Sequence, residues 1–134
     1  MTGLVLKLGP NERVLINGAV IENGNRRSRL NIVTPGANIL RLRDAIHPTE
    51  TKTPVRRLAY MAQLLLSGDA GLDDLRDDIS RGLDQLSRAM TDRDSQATLA
   101  EAKTALLKGQ TYGLLKSLRR LIPREDALLK GPRP

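Results

Sequence analysis

The feature that most constrains this chain is an alternation of aliphatic and polar residues through residues 3–46, interrupted at short intervals by turn formers. Leu4, Leu6 and Leu8 share one face of an extended segment, with Val5 and Lys7 on the other. Leu30 and Ile32 oppose Arg27, Arg29 and Asn31. Leu40 and Leu42 alternate with Ile39, Arg41 and Arg43. A period of two sets one strand face against a core and the other toward water or a partner. The segment reads as five short strands whose outward face collects arginine: its basic residues are six Arg and one Lys.

The turns carry their own chemistry. Gly9, Pro10, Asn11 and Glu12 break the first strand. Asn17 and Gly18, flanked by aliphatic runs, predict a two-residue hairpin turn, which needs positive φ at both central positions. Asn23, Gly24 and Asn25 repeat the signal one strand later. Residues 34–38 form a longer crossing, and Pro35, lacking an N–H, belongs outside the ladder.

Beyond the strands the period changes to that of helices. After a connector over residues 44–52, Thr53 and Pro54 read as an N-cap and first helical residue. A helix over residues 54–66 presents Val55, Leu58, Met61, Ala62 and Leu65 as its stripe. Arg56 and Arg57 lie at its start, where the helix dipole does not favour cations, and are expected to be solvated. A second helix, residues 72–90, carries Leu72, Leu75, Ile79, Leu83, Leu86 and Met90. Asp73, Asp74, Asp77 and Asp78 crowd its first turns and are expected on its solvent face. A third, residues 95–108, has Leu99, Ala102, Leu106 and Leu107 as its apolar set. A fourth, residues 111–122, is expected to stop at Pro123. Its cations Lys116, Arg119, Arg120 and Arg124 fall toward that end, where the dipole accounts for them. The sequence thus predicts an α+β chain, with a β domain over residues 1–46 and a helical region of about four helices over residues 47–134.

Composition narrows the function. The 134 residues include no Cys, Phe or Trp and only two Tyr, Tyr60 and Tyr112, so the core is aliphatic. Without cysteine there is no disulfide framework or thiolate site, which fits a reducing cytoplasm. No apolar run approaches a membrane span, and the start of the chain has no signal-peptide pattern. His47 is the only histidine and lies in a loop, so a catalytic triad or histidine metal site has no material. Phosphate-binding, nucleophile-elbow and zinc-protease motifs are absent. The expectation is a non-enzymatic binding module without cofactor or metal.

The net charge of +7 is uneven. Residues 1–60 hold ten Lys/Arg against four Asp/Glu, residues 69–94 four against eight, and residues 95–134 eight against three. A basic sheet and basic end suit a polyanion or an acidic protein partner. Neither tyrosine lies in the strands, so RNA on this sheet would be held by arginine, backbone and strand edge instead of stacked rings.

The strand pattern of residues 4–46, the segment PVRRLAYMAQL at residues 54–64 and GQTYGLLKSLRRLIPRE at residues 109–125 together resemble the FlbT family of flagellum biosynthesis repressors. The resemblance implies post-transcriptional repression of flagellin through the 5′ untranslated region of its messenger RNA, with a small companion, FlaF, acting in opposition. The sheet is also similar to the carbon storage regulator (CsrA) family: the LxL start, the turn ending in Glu12, Ile16 and Gly18, and the basic last strand into Arg43, Asp44, Ala45 and Ile46 follow its order. That likeness implies a five-stranded antiparallel sheet or barrel, RNA contacts on the first and last strands, and a homodimer. Arg43 matches the arginine that follows the last strand there. The family's adjacent basic pair after the first strand falls here on Leu8 and Gly9, with Arg26, Arg27 and Arg29 as replacement charge.

The expected RNA contacts are Lys7, Arg26, Arg27, Arg29, Arg41 and Arg43. The alternative is a module that binds flagellin or a FlaF-like protein and affects the message indirectly. A DNA-binding repressor fits less well, because the fourth helix is too apolar for a recognition helix.

Overall fold

The computed structural model describes residues 4–17, 19–42 and 45–131. The chain divides into two compact units, Met1–Ala45 and Ile46–Pro134.

The first unit holds five strands: β1 (Leu4–Leu8), β2 (Arg13–Ile16), β3 (Ala19–Glu22), β4 (Ser28–Ile32) and β5 (Ile39–Arg41). They form two antiparallel sheets, β1-β4 and β3-β2-β5. The single five-stranded sheet or barrel expected from sequence is not what forms; among the described residues no barrel closes. The reason lies in the ladders. β2 pairs β3 with Arg13 opposite Glu22, and β1 pairs β4 with Leu8 opposite Ser28. Both sheets therefore belong to one long hairpin with legs β1-β2 and β3-β4, bent where residues 9–12 face residues 23–27.

Asn23 holds that bend. Its Nδ2 donates to the Gly9 carbonyl at 2.6 Å and the Arg26 carbonyl at 2.9 Å, and its Oδ1 accepts from Ser28 Oγ at 2.6 Å. These bonds steer the chain across to β1 instead of folding β4 back beside β3, as a hairpin at Asn23 and Gly24 would have done. At the tip, Asn17 adopts φ 48°, in the left-handed region its turn requires; Gly18 lies outside the described residues. β5 returns to β2 through the crossing that contains Pro35. It is anchored by Asn38 N–H to Asn17 Oδ1 and Asn17 N–H to the Asn38 carbonyl, both 2.9 Å.

The two halves of the hairpin enclose the aliphatic layer. Leu6, Leu8, Val14 and Ile39 are buried together, with Ile16, Leu30, Ile32 and Ala37 packed against them. Each fully buried aliphatic side chain contributes about 1.5–3 kcal/mol. The alternation on β1 and β4 is as the sequence indicates for Leu6, Leu8, Leu30 and Ile32, whereas Leu4, at the start of β1, is 54% exposed. On β5, Ile39 faces this core, so Arg41, two residues on, starts from the inward side of the strand.

The second unit is a four-helix arrangement: α1 (Pro54–Ser67), α2 (Leu72–Ala89), α3 (Arg93–Leu107) and α4 (Thr111–Lys130). α4 packs against α1 and α3, and α2 against the same two. Thr53 caps α1, accepting from the Arg56 N–H, with Pro54 at the first position. A short 3₁₀ turn, Pro48–Glu50, precedes it. The core is formed by Val55 and Leu58 of α1, Ile79 and Leu83 of α2, Leu99 of α3, and Leu114, Leu115, Leu118 and Leu121 of α4. The aspartates of α2 are exposed. Leu107, expected in the core, is 77% exposed, because Ala102, Ala105 and Leu106 supply the packed face of α3.

α4 does not stop at Pro123 but runs on to Lys130. Pro123 is exposed, on the side where the carbonyl that loses its helical partner can bond water. Beyond it the helix is held from outside: Glu125 and Asp126 reach the start of α1. Arg56 is therefore not solvated but paired within the protein, while Arg57 is exposed. Among the described residues no helix is long and apolar enough to cross a membrane.

Candidate nucleic-acid interface

The outward face of β1 and β4 carries the basic site. The register sets Lys7 directly opposite Arg29, two pairs along the ladder, and so on the same face, from Val5 and Asn31. All four are exposed. Like charges directly opposite on a ladder repel and weaken the pairing. Arg27 precedes β4 and Arg26 lies in the bend; both are exposed.

Lys7, Arg27 and Arg29 line one open groove of about 630 Å³, with Gly9, Pro10 and Glu12 from the bend. The structure thus brings three of the expected residues together and leaves Arg26 on the neighbouring loop. Among the described residues none of these four cations has an ion-pair partner. The other described cations of the strands are matched: Arg13 with Glu22 at 2.8 Å and Arg41 with Glu12 at 3.4 Å.

Arg41 differs from the expectation of an outward arginine. It starts from the inward side of β5, is largely covered, and its Nη2 donates to the Lys7 carbonyl at 2.8 Å. Glu12 Oε1 accepts from the Gly9 N–H at 2.9 Å. Arg41 and Glu12 together fix the backbone on which Lys7 sits and tie β5 to β1. In this geometry Arg41 is a positioning residue. Arg43 lies outside the described residues.

Asn23 and Glu12 are supporting residues whose role pattern reading missed, and Arg41, expected as an RNA contact, has a supporting role instead. Asn23 and Glu12 read as turn formers, and the signal available was only the excess of Asn and Gly around the bend. Nothing local in the sequence pairs Arg41 with Glu12, since strand topology decides that contact.

Chemically the groove can hold an extended polyanion. Guanidinium groups donate in a planar fork that suits phosphate oxygens, and Lys7 adds a point charge. No solved structure matches this chain. The family model of the flagellar protein FlbT matches residues 4–129. A probable flagellum biosynthesis repressor protein FlbT of Mesorhizobium japonicum is 30% identical over 96% of this chain and 86% of its own. The flagellum biosynthesis repressor protein FlbT of Caulobacter vibrioides is 25% identical over 94% of this chain and 89% of its own. With the family model covering both the basic strands and the four helices, this chain belongs to the FlbT family.

Proposed function

We propose that this chain represses flagellum biosynthesis by binding the 5′ untranslated region of flagellin messenger RNA and lowering its translation or stability. The names of its relatives support the repressor role. The observation that carries the RNA reading is the juxtaposition of Lys7 and Arg29, which folding alone penalises and a phosphate backbone would relieve. Lys7, Arg27 and Arg29 contact phosphate in the groove, Arg26 extends the track, Arg41 holds Lys7 in place, and Arg43 is a further contact. Such a protein acts in the cytoplasm and needs no cofactor.

The test is affinity for a flagellin leader transcribed in vitro, measured over a range of salt. Each phosphate contact to a single strand contributes about 0.7 to the slope of log affinity against log salt. Arg27→Gln with Arg29→Gln should reduce that slope by about 1.4 and weaken binding on the order of tenfold or more while the fold persists. Unchanged affinity in the double variant removes the site.

A second reading has its own observation. Val20 and Ile21 on β3, and Leu128 and Leu129 at the end of α4, are exposed, as surfaces that dock another protein often are. On that reading the chain binds flagellin, a FlaF-like protein or a second copy of itself. Co-purification after RNase treatment discriminates: a partner retained without RNA favours it.

A further inference from the structure

A second basic site lies on α4. Tyr112, Lys116, Arg119 and Arg120 follow one stripe of the helix and, with Leu115 beneath them, line a small cleft of about 220 Å³. The sequence accounts for these cations by the end of a helix that stops at Pro123. With α4 running from Thr111 to Lys130, residues 116–120 fall in its middle, out of reach of the terminal partial charge. Two other cations of α4 are matched: Arg120 pairs with Glu101, and Arg124 lies 2.8 Å from Asp92 and 3.4 Å from Asp94. Lys116 and Arg119 have no ion-pair partner among the described residues. Beside them stands one of only two aromatic rings in the chain, and it is 41% exposed. A helix core this short of large side chains would be expected to bury that ring if packing were its only use.

We infer that this stripe is a second contact for single-stranded RNA, with a base stacked on Tyr112 and the following phosphates on Lys116 and Arg119. The inference rests on the reading that this chain binds RNA, and it supplies an aromatic ring that the strands lack. Lys116 and Arg119 lie about 6 Å and about 10 Å further along the helix axis than Tyr112. An exposed planar ring beside unmatched cations is a combination that proteins use on unpaired strands. An acidic protein segment would satisfy the cations but has no need of the exposed ring.

The experiment uses the full chain and the flagellin leader of the bacterium that encodes it, transcribed with 4-thiouridine. Tyr112 should appear among the photo-crosslinked residues. Tyr112→Leu should weaken binding on the order of tenfold and Tyr112→Phe should not, since the ring is what stacks. Lys116→Gln should lower the salt slope by about 0.7. The Phe and Leu variants differ at a half-exposed position, so equal far-UV spectra and melting points separate lost contact from lost fold. If Arg27→Gln with Arg29→Gln weakens binding but Tyr112→Leu and Lys116→Gln leave it unchanged, the second site falls and the strand site stands. If the unmodified protein fails to bind the leader, both fall. If binding survives the strand variant and is lost in Tyr112→Leu, the helix site stands and the strand site falls.

Discussion

The carboxylate of Glu125, near the end of α4, accepts a hydrogen bond from the backbone N–H of Val55, 70 positions earlier, at 2.8 Å. Thr53 Oγ accepts from the Arg56 N–H, and Pro54 has no N–H to satisfy. The free donors of the first turn of α1 are thus met by one local and one distant acceptor. An anion at this end also suits the helix dipole. Glu125→Ala should lower unfolding free energy by about 2 kcal/mol, because the Val55 N–H is left buried without a partner. Glu125→Gln keeps an acceptor and should lose about half as much. Urea unfolding at neutral pH checks both; equal midpoints for the Ala variant and the parent would show that the contact contributes nothing.

The neighbouring pair gives stability a dependence on acid. Arg56 donates to both oxygens of Asp126, at 2.6 and 2.9 Å, and this holds the Asp126 carboxyl below its ordinary value. Asp92 is lowered likewise, first by the hydroxyl and N–H of Ser95 and then by the charge of Arg124. Groups depressed in the folded state contribute their stabilisation in full above the unfolded value, near pH 3.9, and lose it as pH falls through the folded value. The melting temperature should therefore respond to these two groups only below about pH 4 to 5. Asp126→Asn and Asp92→Asn should each flatten the acid limb. An acid limb of the same steepness in both variants would contradict the assignment.

Pro123 interrupts α4 on its exposed side and removes one helical hydrogen bond. Pro123→Ala restores that bond and a better helix former. Proline also limits the unfolded chain, which offsets part of the gain. The net expectation is a stabilisation of about 1–2 kcal/mol, read as a higher urea midpoint with an unchanged slope. A lower midpoint would mean that the packing of residues 124–130 depends on the proline.

Asn23 makes its bonds across the bend with one side chain. Asn23→Ala should destabilise the strand unit by about 1–2 kcal/mol, through the hydrogen bonds lost to Gly9, Arg26 and Ser28. It should also loosen the groove, because the residues that line it sit on both sides of the bend. Amide exchange of residues 6–9 and 28–31 should rise more than that of β2 and β3. Uniform exchange across all five strands would show that the bend is held by something else.

Much of this was legible in the sequence. Alternation placed Leu6, Leu8, Leu30 and Ile32 inward and Lys7 and Arg29 outward, because the pleat admits no other arrangement. Thr53 and Pro54 marked the start of α1 to the residue. Legibility ended where distant contacts decide. Asn23 and Gly24 suit a hairpin as well as a corner, and bonds across the bend to Gly9, Asn11 and Glu12 select the corner. Pro123 is a sound stop signal locally, overridden by Glu125 and Asp126 finding α1. Arg41 resembled Arg29 in pattern and differs in role, since its outward or inward sense depends on which face of β5 the other strands cover.

The pleat also ties charge and core into one variable. A deletion or insertion of a single residue within β1 would turn Lys7 toward the aliphatic layer and Leu6 or Leu8 toward water. Within β1 and β4 the basic surface is therefore retuned by exchanging side chains at positions 5, 7, 29 and 31, which face away from the packing behind them. Length variation has to be taken up elsewhere, at the Asn17 tip or in the crossing before β5.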